Sequence, residues 1–264
     1  MTAFALPAPR LVAADVLKLR RNRSLALVTG VLTVGAVAIT VAVMELLHLA
    51  NATKHGPAGG VQNLGHVAFL IAMLGTAAAA IVGSRAGAGD KDAGVYRDLV
   101  VTGRSRVSLY LSRIPAGIAF LLPFVAGAYV LEAVSAVVLA GSKPVPDMRL
   151  LVLTGLWTVL EVTFFYLLSV AVAALLGSRS YAIGVVLAFR LAITPIVASI
   201  SALGIVRELM PGVAMQSLVP PGLGDAARQG PAIAMSTAAV AAVLLVWAVA
   251  AVALAGWRDV TRDA

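Results

Sequence analysis

The chain has 264 residues, of which 61% are hydrophobic and only 12% are charged, and its mean hydropathy is +0.98. Soluble domains carry about 25% charged residues, so this composition excludes an ordinary soluble domain. The lack of cysteine excludes a disulfide framework and a thiolate metal site. The net charge of +8 is compatible with nucleic acid as a partner, unless the basic residues follow a membrane topology.

The first predicted element is an amphipathic helix over residues 8–22. Its apolar residues Leu11, Val12, Val16 and Leu19 recur at helical spacing, with basic residues around them. This pattern is typical of a helix that lies in a membrane interface. The apolar run that follows is longer than the core of a signal peptide, so we expect an uncleaved anchor.

Several apolar runs long enough to cross a bilayer follow. About 20 helical residues, at about 1.5 Å each, cross a hydrocarbon core of about 30 Å. Prolines inside such runs are tolerated, because neighbouring helices can satisfy the freed backbone groups. The sequence therefore predicts an all-α integral membrane protein, a single transmembrane domain over 1–264, with six spans at about 24–49, 67–84, 114–140, 150–177, 181–203 and 233–256.

The positions of Lys and Arg predict the orientation, because cytoplasmic loops carry an excess of these residues. With the N-terminus inside, 14 of the 20 fall in inner segments and five in outer ones. We therefore expect both termini in the cytoplasm and no nucleic acid partner, since the basic charge is explained by topology. The excess of alanine, glycine and arginine is typical of a GC-rich bacterial genome, which indicates a multi-pass protein of the bacterial cytoplasmic (inner) membrane.

The outer segment 204–232 is expected to be re-entrant or interfacial. Pro211, Pro220, Pro221 and Pro231 divide it into short pieces, and the residues between them are largely apolar. A solvated loop has no need of those apolar side chains. A pair of short helices that returns to the outer leaflet would bury them.

The predicted cytoplasmic loop, residues 85–113, contains the stretch DAGVYRDLVVTGRSR at 92–106. A short helix is expected over 95–101. Basic residues alone would favour a loop held by anionic lipid headgroups. The interspersed aspartates, which such lipids repel, favour a soluble protein partner instead.

This stretch, followed by SLYLSR at 108–113, resembles the signature loop of permease subunits of the type-two ATP-binding-cassette exporters. In that pattern an acidic residue, a glycine, a leucine pair, a proline or glycine and Ser/Thr-Arg precede a basic third span. Asp92 stands where that family usually has glutamate. The resemblance extends over the whole chain, through the amphipathic N-terminal helix, the six spans, the internal termini and the broken apolar segment between the last two spans.

The resemblance implies a permease that works as a dimer, with an identical chain or a paralogue, coupled to separate ATPase subunits. The chain has no G-x-x-x-x-G-K-[ST] run. We therefore expect that it is not an enzyme and binds no cofactor, with ATP and magnesium on the partner subunit. The resemblance implies that coupling to that partner involves Leu19, Arg20, Arg21, Asp92, Tyr96, Arg97, Asp98, Arg104 and Arg106.

Three charged residues, Glu132, Glu161 and Arg190, fall inside predicted spans. Charged side chains at a helix centre usually face a bundle interior or a cavity. At about 1.5 Å per residue, the two glutamates lie at one level in the outer half. Arg190 lies roughly 10 Å nearer the cytoplasm, a gap that a bent helix or a long side chain could partly close. Two interpretations stay open: a translocation path or opening-sensitive polar cluster, and a purely structural set of partners.

The apolar, alanine-rich spans favour export of a lipid-like, drug-like or peptide cargo. Two alternatives from other classes stay open. An ATP-independent secondary transporter would be expected to show ion-site residues and often inverted repeats, whereas a non-transporting membrane immunity or scaffold protein would need no ATPase. The three histidines, without cysteine or suitably spaced carboxylates, predict no metal site. Membrane lipids are the remaining expected partners.

Overall fold

A computed structural model describes residues 9–95, 98, 101, 105–228, 231 and 233–261. Every regular element within these residues is helical, and six of the helices are long and apolar enough to cross a membrane. The predicted all-α class and number of spans are thereby confirmed. The helices are α1 (Pro9–Arg21), α2 (Arg23–Ala50), α3 (Val61–Asp92), α4 (Arg106–Val138), α5 (Met148–Leu176), α6 (Arg179–Ser199), α7 (Pro211–Ser217) and α8 (Thr237–Thr261).

Polar side chains at the helix starts fix several of these boundaries. The side chains of Asn22, Ser105 and Asp147 accept hydrogen bonds from backbone N–H groups in the first turns of α2, α4 and α5. These bonds satisfy donors that have no partner inside a helix. Gly177, with a φ of +69°, ends α5 in the left-handed conformation that glycine adopts without strain.

Helices α3 and α5 form the centre of the bundle. Their most apolar windows are 67% and 61% buried, against 11% for α8. Small residues allow the two helices to approach closely: an added Cβ would lie 2.4 Å from the Val170 carbonyl oxygen at Gly87 and 2.7 Å from the Ser169 Cβ at Gly83. The Ser169 hydroxyl also donates to the Ala80 carbonyl at 2.9 Å. Small-residue packing with interhelical hydrogen bonds is the usual means of helix association in lipid.

The predicted loop 85–113 was too long. Helix α3 continues eight residues past the predicted end of its span to Asp92, and α4 begins at Arg106, eight residues before its predicted span. Four of the charged residues in these extensions, Asp90, Lys91, Asp92 and Arg113, form tertiary ion pairs, so they do not end the helices. Of the short helix expected over 95–101, the structure describes only Val95, Asp98 and Val101.

Short helical pieces occupy most of the segment between α6 and α8. A 3₁₀ helix covers Ser201–Leu209, α7 follows, and a second 3₁₀ helix covers Pro221–Ala227. The Met215 side chain is fully buried, and the Met215 carbonyl accepts a hydrogen bond of 3.0 Å from Trp157 Nε1 on α5. Part of the apolar surface noted in the sequence thus packs against the bundle, while the depth of this segment in a bilayer stays a prediction.

Candidate functional site

A buried ion pair joins α6 to α5 in the interior of the bundle. Arg190 Nε and Nη2 donate to Glu161 Oε1 at 2.9 and 2.6 Å, and both residues are completely inaccessible to solvent. The guanidinium also lies 5.6 Å from the centroid of the Phe165 ring. Two opposite charges buried together avoid the large penalty that either one would incur alone.

The local backbone explains how Arg190 reaches this position. Residues Phe189–Ile193 form a π-helical turn immediately before Pro195. Proline has no N–H to donate to the carbonyl four residues earlier, so the regular helical ladder is interrupted there. The Thr194 hydroxyl donates instead to the Phe189 carbonyl at 2.8 Å. The regular-helix count places Arg190 roughly 10 Å from the level of the glutamates, a gap that a bent helix or a long side chain can partly close, and the Arg190 guanidinium does reach Glu161.

The third predicted member of this cluster, Glu132, does not join the pair. Its side chain is buried on α4, and neither carboxyl oxygen has a hydrogen-bond partner among the described residues. The structure thus brings together two of the three intramembrane charges. We reserve the name intramembrane pair for Glu161 and Arg190.

A second polar cluster lies where α1 meets the end of α3 and the start of α4, here called the α1 end of the bundle. Its centre is Asp90, which forms ion pairs with Lys18 of α1 and with Arg113 of α4, the latter at 3.1 Å. Arg113 Nη1 also donates to the Gly87 carbonyl at 3.0 Å, and the Tyr166 hydroxyl donates to the Arg113 carbonyl at 2.6 Å. Four helices are therefore linked through this cluster.

The two residues after Asp90 connect the same helical turn to two further helices, α8 and α6. Successive residues of an α-helix point about 100° apart, so neighbours reach different partners. Lys91 pairs with the buried Asp259 on α8, and Asp92 accepts from Arg179 Nε on α6 at 2.5 Å. We call residues 90–92 the charged turn of α3.

Helix α1 is held to the bundle by a further polar contact. The Ser112 hydroxyl donates to Asp15 Oδ2 at 2.7 Å. Burial raises the pKa of Asp15 above its usual value, and this effect outweighs the opposing influence of the Ser112 hydrogen bond and of Arg113 and Lys18. The N-terminal helix is thus docked by specific contacts, and its position relative to a membrane stays a prediction.

The residues expected to couple to an ATPase fall into three groups. Leu19 is buried against the bundle, and Asp92 already has an intramolecular partner. Exposed positions are Arg20, Arg21 and Asp98, while Arg106 is the first residue of α4. Three of the expected residues, Tyr96, Arg97 and Arg104, lie outside the described part of the chain.

Sequence reasoning missed most of the α1-end cluster as a site. The sequence pattern assigns no site role to Asp15, Lys18, Asp90, Arg113 or Asp259. A usable signal was present, because opposite charges stand at neighbouring ends of successive helices, at Asp90 and Arg113. No such signal pairs Lys91 with Asp259, which are 168 positions apart.

Neither the family models nor the curated proteins searched include one that matches this chain.

Proposed function

We propose that this chain is the permease subunit of an ATP-driven exporter in the bacterial cytoplasmic membrane, with the α1 end facing the cytoplasm. Two permease subunits, identical or paralogous, would form the translocation path, and separate ATPase subunits would supply the energy. The observation that most strongly supports this proposal is the charged turn of α3. It adjoins the predicted docking loop and is linked by ion pairs to α1, α4, α6 and α8.

This arrangement suits the transmission of a displacement. A soluble subunit that moved α1 or the 93–105 loop would act on the charged turn through Lys18 and the backbone of α3. The turn in turn holds Arg113, Asp259 and Arg179, which belong to three spans. Force applied at one small surface is therefore distributed over several transmembrane helices.

The described part of the 93–105 loop also presents a surface that suits a protein partner. Val95 and Val101 expose their apolar side chains, and Asp98 lies exposed between them in sequence. Mixed apolar and charged exposure is typical of a docking surface. Arg20 and Arg21 add exposed positive charge on α1.

The test is co-purification of an ATPase with the tagged chain from mild-detergent extracts of its native membranes. Asp92 is a poor position for the variant, because its replacement also breaks the pair with Arg179. The sharper variant is Arg20→Glu with Arg21→Glu, since both side chains are exposed. The matched control is Arg149→Glu, which reverses an exposed charge at the opposite end of α5 from the α1 end.

Under the proposal, vanadate-sensitive ATPase activity purifies with the wild type and the control, and most of it is lost from the double variant. An absence of ATPase from every preparation would contradict the proposal and favour the scaffold or immunity protein. Equal ATPase recovery in all three preparations would show that Arg20 and Arg21 of α1 are not part of the docking surface.

One observation favours a second candidate, an ATP-independent secondary transporter. Glu132 is a buried carboxyl group without a hydrogen-bond partner among the described residues, and such intramembrane groups often serve proton or ion transfer. Purified protein in liposomes distinguishes the two. Proton flux without ATP that is lost in Glu132→Gln supports the secondary transporter, whereas the permease alone moves no protons.

A further inference from the structure

A cavity of about 330 Å³ opens near the α1 end, between α2, α3 and α6. Asp92 lies at its edge. Arg85 also borders the smaller pocket that Asp15, Asp90 and Arg113 line at the α1 end. Two arginines, Arg85 and Arg179, line it together with the hydroxyl-bearing residues Ser24, Ser84, Ser178 and Ser180.

Arg85 supplies the free positive charge of this cavity. Within the described part of the chain, no hydrogen bond or ion pair engages its guanidinium. Asp92, the only acidic residue in the lining, is already bonded to Arg179 Nε. The three charged groups therefore leave a net charge of +1, carried by a planar group with five N–H donors.

The start of helix α6 adds hydrogen-bond donors to this cavity. Helix α6 starts at Arg179 beside the cavity, and the Ser178 side chain makes no capping hydrogen bond, so the first N–H groups of α6 have no acceptor from that side chain. Such a helix start carries partial positive charge. The Ser84 and Ser24 hydroxyls already donate to the Ile81 carbonyl and to Asn22 Oδ1, so they are not donors to a ligand. The Arg85 guanidinium and the start of α6 remain as donors, and these would bind acceptor atoms of a ligand.

The rest of the lining is apolar. Val28, Ile81 and Ile183 border the same cavity. Val28 is exposed and the other two are only partly buried, so this apolar lining continues onto the outer surface of the bundle. All three belong to membrane-spanning helices. A ligand that fills this site thus needs both an anionic group rich in acceptors and an adjoining apolar part.

We infer that this cavity binds the headgroup of an anionic phospholipid, with Arg85 holding the phosphate and the acyl chains lying along Val28, Ile81 and Ile183. Basic pockets between transmembrane helices near the cytoplasmic surface are suited to such headgroups. A guanidinium binds phosphate in a bidentate manner, which also explains arginine in place of lysine. The inference does not depend on transport or on an ATPase.

The test is a lipid titration of the full chain in detergent, followed by the thermal unfolding temperature Tm. The probes are mixed micelles with phosphatidylglycerol, mixed micelles with phosphatidylcholine, and inorganic phosphate alone. The variant is Arg85→Gln. Its control, Arg10→Gln, removes the same charge from an exposed position on α1 outside the cavity.

We expect a saturable rise in Tm with phosphatidylglycerol only, weakened at least about tenfold in apparent affinity by Arg85→Gln, because a charge-assisted bidentate contact is lost. Arg10→Gln should retain most of the affinity. Arg85→Lys, which keeps the charge but not the bidentate geometry, should retain only part of it. Should Arg85→Gln fail to fold, Ser180→Ala, at the exposed start of α6, is expected to weaken binding in the same direction.

Three results would overturn the inference. Equal responses to phosphatidylglycerol and phosphatidylcholine would show that the headgroup charge is not recognised. Equal losses of affinity for phosphatidylglycerol in Arg85→Gln and Arg10→Gln would show that the lipid is attracted by general electrostatics and not by this site. A response to inorganic phosphate as large as that to phosphatidylglycerol, abolished by Arg85→Gln, would assign the site to a free anion and not to a lipid.

Discussion

Replacement of Glu161 by leucine is expected to destabilise the protein strongly, because the buried Arg190 would lose both of its hydrogen bonds to Glu161. Both side chains are fully inaccessible, and two Arg190 nitrogens donate to Glu161 Oε1. Removal of one member of a buried ion pair costs about 3–5 kcal/mol. At about 2–4 °C per kcal/mol for chains of this size, Tm should fall by roughly 6–20 °C.

The double variant Glu161→Leu with Arg190→Met tests whether the destabilisation comes from breaking the ion pair or from the change in side-chain volume. Replacement of both members by apolar residues is often neutral or stabilising, so most of the lost Tm should return. The assay is thermal unfolding in detergent followed by tryptophan fluorescence, for which the chain has three tryptophans. Glu132→Leu is the control, since this carboxyl is buried without a hydrogen-bond partner in the described structure, and its Tm should stay level or rise.

Additivity is the result that would refute this reasoning. If the loss of stability in the double variant equalled the sum of the losses in Glu161→Leu and Arg190→Met, the two residues would act independently. The pair would then have no coupling energy. A large loss in Glu132→Leu would show instead that any carboxyl replacement in the bundle is harmful. Loss of the ion pair would then not be the cause of the destabilisation in Glu161→Leu.

Two further predictions concern packing and pH. Gly117→Ala should lower Tm, because the added Cβ would lie 1.8 Å from the Tyr166 hydroxyl and overpacking costs about 1–3 kcal/mol, whereas Gly184→Ala, which meets nothing within 4 Å, should not. Because the folded pKa of Asp15 is raised, stability should decrease as the pH rises from the unfolded pKa of about 3.9 through the folded pKa, and then level off. Asp15→Asn, which keeps an acceptor for Ser112, should remove that decrease, so its Tm advantage over wild type should grow across this interval in a pH series of melts.

The number of spans could be predicted from the sequence because it depends on a local property. An apolar run of about 20 residues is enough to define a membrane helix. The ends of the helices could not be predicted in the same way. The end of α3 resembles a loop by composition, since it contains Gly87, Asp90, Lys91 and Asp92. The helix continues through these residues because Gly87 fits against α5 and each of the three charges has a partner on another helix.

The intramembrane pair was also only partly predictable from the sequence. The presence of Glu161 and Arg190 inside spans was evident from hydropathy, and their burial was expected on energetic grounds. Their contact was not, since an even rise per residue separated them along the bundle. The long Arg190 side chain reaches Glu161 Oε1 from within the π-helical turn Phe189–Ile193. Such a turn depends on backbone hydrogen bonds that a hydropathy pattern does not describe.

The position of Asp92 connects the two proposals. The resemblance assigns Asp92 to the docking surface, whereas the structure bonds it to Arg179 at the edge of the Arg85 cavity. A partner that took over the Asp92 carboxylate would free Arg179 to bind an anion in that cavity. Binding of the partner and of the lipid would then strengthen each other by the same factor, as linkage requires. The charged turn of α3 is therefore the place where a soluble subunit and the surrounding lipid would act on the same helix.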